Sequence, residues 1–87
     1  MLHLDKAIQI NENVSNLLYI RGIIKAYLEL YEEAIEDFSK AIDKAEDNVP
    51  EQFFYRGLIQ SVLFNFNDAI GDFTIAANIK NDYYQAF

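Results

Sequence analysis

The chain of 87 residues carries 7 Lys and Arg against 14 Asp and Glu, a net charge of −7, with 52% hydrophobic residues and no cysteine. It is short enough to be one domain and apolar enough to build a core, but it lacks the basic face that nucleic acid or an anionic membrane would need. It has no thiolate site and no apolar run near the roughly 20 residues of a membrane span; the charged start MLHLDKAIQI is unlike a signal peptide, so an intracellular, cytoplasmic location is expected.

In chain order, the first element is LDKAIQI (residues 4–10), which matches FSKAIDK (residues 38–44). A helix follows, with Leu17, Leu18, Ile24 and Leu28 on one face. The break ELYEE has no capping side chain at Leu30, so this turn is expected to be the less well specified of the two. From Ala34 a second helix places Ala34, Phe38, Ala41, Ile42 and Ala45 on one face. In EDNVP, Pro50 suits a first helical turn and pushes Val49 out of helix. A third helix carries Phe53, Ile59 and Leu63. The break FNFND puts Asn65 where it would cap a fourth helix, with Asp68 in its first turn and Ala69, Phe73, Ala76 and Ala77 along its face. DYYQAF resembles the run-in to another unit.

Setting Arg21 on Arg56 gives nine identical pairs, among them Gly22/Gly57, Ala34/Ala69, Asp37/Asp72, Phe38/Phe73 and Ala41/Ala76. The aromatic pairs Tyr19/Phe54 and Tyr31/Phe66 extend the match. The implied units are a partial one over 1–14, whole ones over 15–49 and 50–83, and the start of another over 84–87, so the chain reads as a slice of a longer array. Each whole unit reads as a helical hairpin. A glycine inside a helix costs about 1 kcal/mol against alanine, so Gly22 and Gly57 are expected to let the paired helices approach closely, Gly22 near Ala34.

These residues resemble the tetratricopeptide repeat, and most nearly its variant with Arg-Gly in the first helix and Ala-Ile, Asp-Phe, Ala-Ile in the second. Leu18 and Phe53 stand where the family has Trp, and Lys25 and Gln60 where Tyr is usual. The resemblance implies an all-α fold, stacked antiparallel helical hairpins in a right-handed solenoid, whose first helices line a concave groove for peptides or helices. It turns Tyr19, Ile20, Ile23 and Tyr27 toward that groove, with Phe54, Tyr55, Leu58, Ser61 and Val62 from the next unit. The family's chaperone-binding members hold a C-terminal carboxylate there with Lys, Arg and Asn; Tyr19, Ile23, Phe54 and Tyr55 occupy those places here, so a carboxylate clamp is not expected.

Arg21 and Asp37 are sixteen residues apart, as are Arg56 and Asp72, and each pair brackets its hairpin's turn. At least one arginine is expected to pair with one of these aspartates, since a largely buried guanidinium needs a partner; the alternative is that both reach water over their apolar stems. His3 stands alone, and the acidic run Glu29, Glu32, Glu33, Glu36 and Asp37 lacks the pattern of a calcium loop, so it is expected to face water, with Glu36 offset by Lys40. No nucleophile or phosphate-binding motif is present, and neither catalysis nor a metal or other cofactor is expected.

The expected role is a protein–protein interaction scaffold that holds an apolar or amphipathic helical peptide, with the acidic rim favouring a basic amphipathic helix. About half of the groove residues are expected to be core between units. The rival reading is a homo-oligomer that buries the uncovered ends, Leu4, Ala7 and Ile8 on one side and Tyr83, Tyr84 and Phe87 on the other.

Overall fold

The computed structural model describes residues 13–85, with side chains through Lys80. His3, the partial unit at the N-terminus with Leu4, Ala7 and Ile8, the side chains of Tyr83 and Tyr84, and Phe87 lie outside the described part. Four helices make up the described residues, with no strand: α1 (Val14–Tyr27), α2 (Tyr31–Lys44), α3 (Pro50–Val62) and α4 (Phe66–Gln85). They pack in adjacent pairs, α1 on α2 and α3 on α4; α2 also packs on α3, α1 touches α3, and among the described helices α4 meets α3 alone.

The core forms where small residues let aromatic rings in. Ala34, Phe38 and Ala41 of α2 are fully buried, joined by Leu18, Phe53, Ile59, Ala69 and Ala76. Against Ala34, Phe38 and Ile59 pack Tyr19, Ile23 and Ala26 of α1. The buried side of α1 therefore differs from the expected face: Leu18 is buried, while Ile24 and Leu28 are exposed. Apolar residues surround α1 almost completely, so periodicity alone does not choose its inner side. Gly22 does. A methyl group there would lie 2.8 and 2.9 Å from the Phe38 ring, so the glycine admits that ring rather than the expected Ala34. At Gly57 the obstacles are the Phe73 ring at 2.9 and 3.0 Å and the Ala69 carbonyl at 3.2 Å.

Both hairpin turns close identically through the backbone. At the end of α1, Leu30 N–H donates to the Lys25 carbonyl at 2.8 Å and Glu29 N–H to that of Ala26 at 3.0 Å. At the end of α3, Asn65 donates to Gln60 at 2.8 Å and Phe64 to Ser61 at 3.0 Å. This is the Schellman arrangement, which satisfies the last carbonyls of a helix and requires a left-handed residue after its end. Glu29 (φ 64°) and Phe64 (φ 63°) fill that role, although neither is glycine. The first turn is thus as well specified as the second, against expectation. Asn65 serves the second turn through its backbone, its carbonyl accepting from Ala69 N–H at 3.0 Å just as that of Leu30 accepts from Ala34. Between the hairpins, Val49 is extended and Pro50 opens α3, as their order in the sequence requires.

Candidate functional site

The residues expected to line a groove fall into two groups. Tyr19 and Ile23 are half-buried and pack against the core. Tyr19 lies 5.9 Å from the Phe38 ring and 5.8 Å from that of Tyr55. Burial, helped by the neighbouring Tyr55 and the charge of Glu51, pushes the Tyr19 hydroxyl above its ordinary pKa. Ile20, Tyr27, Phe54, Tyr55, Leu58 and Val62 are exposed, and Ser61 is half-buried between them in sequence. Tyr27 is 91% exposed, so it contributes little to the fold. The exposed set is divided between α1 and α3, which meet through Tyr19 and Tyr55.

Each hairpin also holds a charge pair. Arg21 reaches Asp37 in a two-point contact, Nε to Oδ2 at 2.9 Å and Nη2 to Oδ1 at 2.8 Å. Arg56 holds Asp72 the same way at 2.8 and 2.7 Å. Both arginines therefore pair, where at least one was expected to, and the pairs cross their own hairpins. Asp37 accordingly leaves the exposed acidic run and is buried, while Glu29, Glu32, Glu33 and Glu36 face water and Lys40 lies 3.4 Å from Glu36.

Two partners escaped the sequence reading. Lys25 also reaches Asp37 Oδ2, at 3.1 Å. Burial alone pushes the Asp37 carboxyl up; hydrogen bonds from Arg21 and Lys25, and their charges, outweigh it and hold the group below the usual carboxylate range. Thirty-five residues on, Gln60 takes the place of Lys25. With its amide turned to suit its neighbours, its nitrogen donates to Asp72 Oδ2 at 2.8 Å and to the Asp68 carbonyl at 3.0 Å. A cationic partner in the first hairpin becomes a neutral one in the second.

A polar chain joins the hairpins. Gln52 Nε2 donates to Ser15 Oγ at 3.0 Å, and Ser15 Oγ donates to the Ala41 carbonyl at 2.6 Å, linking α3, α1 and α2. Arg56 adds a second tie, Nη1 to Ser39 Oγ at 3.1 Å. Gln52 is buried, and its Oε1 has no hydrogen-bond partner among the described residues. It borders an open cleft of about 530 Å³ between the N-terminal ends of α1 and α3, edged by Lys44, Glu46, Asp47 and Glu51. A contact thirty-seven residues apart has no periodic signature, and the only available hint was a glutamine among the apolar residues of α3.

Among the described residues no group of His, Asp and Glu side chains is arranged to hold a metal ion, and no helix is long and apolar enough to cross a membrane. Comparison with protein-family models, curated proteins and solved structures finds no match to this chain.

Proposed function

We propose that the chain is a non-enzymatic interaction scaffold of the cytoplasm, a tetratricopeptide-like right-handed array that holds an apolar or amphipathic helical peptide across its first helices. The observation that carries this reading is the exposure of Ile20, Tyr27, Phe54, Tyr55, Leu58 and Val62 on the two helices that open the hairpins. Contiguous apolar surface on a protein that otherwise faces water marks a contact site, and a docked helix is read by apolar anchors at helical spacing. The net charge of −7 and the exposed Glu29, Glu32 and Glu33 favour a partner with a basic flank.

The test is a calorimetric titration with a synthetic helix that alternates Leu and Lys so as to be apolar on one face and basic on the other. Binding is expected, and Tyr27→Ser combined with Leu58→Ser is expected to weaken it at least about tenfold, the loss of roughly one anchor contact. Because both side chains are exposed, stability should hold. No heat of binding to the native protein, or equal affinity for the double variant, would remove this reading.

A further inference from the structure

The hairpin turns carry side chains that folding alone does not call for. Glu29 and Phe64 stand at equivalent places and share a left-handed backbone, φ 64° and 63°. A side chain there costs energy that glycine avoids, and an aromatic one is rare in that conformation. Neither side chain is drawn into the fold. Glu29 is exposed, and Phe64 is 77% exposed, with its ring against the exposed Phe66. Strain held on exposed side chains points to a contact outside the fold.

Between the two turns, Glu29, Leu30, Tyr31, Glu32, Glu33 and Leu63 line an open cleft of about 270 Å³. Leu30 is exposed and Leu63 half-buried, so the cleft has an apolar bed. The three glutamates around it are exposed, and none is in an ion pair among the described residues. A lysine or arginine fits this pattern, its apolar stem on the leucines and its charge among the carboxylates. The cleft also continues the surface proposed to hold a peptide. Tyr27 ends α1 two residues before Glu29, and Val62 ends α3 one residue before Leu63. At the other ends of α1 and α3, the cleft beside Gln52 sets Lys44 among its carboxylates, which disfavours a second cation.

We propose that the turn edge fixes the direction of the docked helix by holding its basic end. A lysine or arginine there lies along Leu30 and Leu63 with its charge among Glu29, Glu32 and Glu33. Phe64, which follows Leu63, packs against an apolar neighbour of that residue. This rests on the peptide-binding reading and names the residues that recognise the basic flank.

The probes are two capped synthetic helices with leucine on one face and glutamine elsewhere. One carries three lysines at one end, and the other has three glutamates in their place. Calorimetric titration of the native chain is expected to favour the lysine helix at least about tenfold. A spin label beside the lysines is expected to broaden the amide signals of Leu30 and Leu63 and to spare those of Ser15 and Gln52. Glu29→Gly combined with Glu32→Gln and Glu33→Gln is expected to melt no lower than the native chain, yet to lose most of that preference. Phe64→Gly is expected to weaken the lysine helix several-fold with no loss of stability. Equal native affinity for the two helices, an unchanged preference in the triple variant, or broadening at Ser15 and Gln52 instead would each overturn this inference and leave the peptide reading standing. Failure of both helices to bind the native chain would remove the peptide reading and this inference with it.

Discussion

Arg56 and Asp72 face each other across the second hairpin in a two-point contact of 2.8 and 2.7 Å, at side chains that are 21% and 5% exposed. In the counterpart pair of the first hairpin, Asp37 holds Lys25 as well as Arg21. Removing one partner of a buried ion pair costs about 3 to 5 kcal/mol, because the other charge is left without compensation. Arg56→Met is expected to show that loss in urea unfolding. Arg21→Met is expected to lose less, by about 1 kcal/mol or more, since Lys25 still answers the Asp37 charge whereas Gln60 offers Asp72 only a neutral amide. Equal losses would mean that Lys25 contributes nothing.

Asp37 also sets an acid limit. Its folded pKa lies below the ordinary value, so its contribution is complete above the unfolded value of about 3.9 and is lost as pH falls through the folded value. The stability gap between the native chain and Asp37→Asn is expected to be constant near neutrality and to close only below about pH 4. A gap that closes instead between pH 5 and 7 would assign the effect to another group.

The three glycines are expected to respond differently to alanine. At Gly22 the new methyl meets the ring of Phe38, which is fully buried and has no room to retreat, so a loss of about 1 to 3 kcal/mol is expected despite the better helix propensity. Gly57→Ala is expected to lose less, because Phe73 borders an open cleft into which its ring can move. At Gly71 a methyl meets nothing within 4 Å, and alanine is expected to gain about 1 kcal/mol. Thermal melts of the three variants should separate them in that order.

The turns offer a second stabilising change. A side chain in left-handed conformation costs about 1 to 2 kcal/mol, which glycine avoids. Glu29→Gly is expected to raise stability by about 1 kcal/mol, since its exposed side chain adds little. Phe64→Gly is expected to gain less, as it removes the ring that stands 5.7 Å from Phe66. Destabilisation by Glu29→Gly would contradict the φ of this turn.

How much of this could be read beforehand depended on the kind of contact. The helical hairpins and both Arg–Asp pairs were legible because matched residues at a fixed spacing recur thirty-five positions apart. In the sequence Lys25 and Gln60 stand out only as departures from a family pattern, and their shared role, with one charged and one neutral, needs the aspartates in place. The turns escaped because their closure is entirely backbone and their left-handed residues, Glu29 and Phe64, are not the expected glycine. The inner side of α1 differs from the expected one at Ile24 and Leu28 because an apolar belt carries no direction until Phe38 settles against Gly22. Of the candidate surface, the sequence could place residues on α1 and α3 but could not separate Tyr19 and Ile23, drawn into the packing, from Tyr27, left in water.

The chain of hydrogen bonds from Gln52 through Ser15 to Ala41 has a consequence for how the molecule comes apart. Opening the first hairpin would strip Gln52 of its partner Ser15 and uncover Phe38 beneath Tyr55; opening the second would leave Ser39 without Arg56. Neither hairpin can melt while the other stays intact except at the expense of these ties. Repeat arrays with weak junctions unravel unit by unit; with these ties across the junction, both hairpins are expected to open in a single cooperative transition. Slowly exchanging amides in α1 and α3 should therefore report one and the same opening free energy.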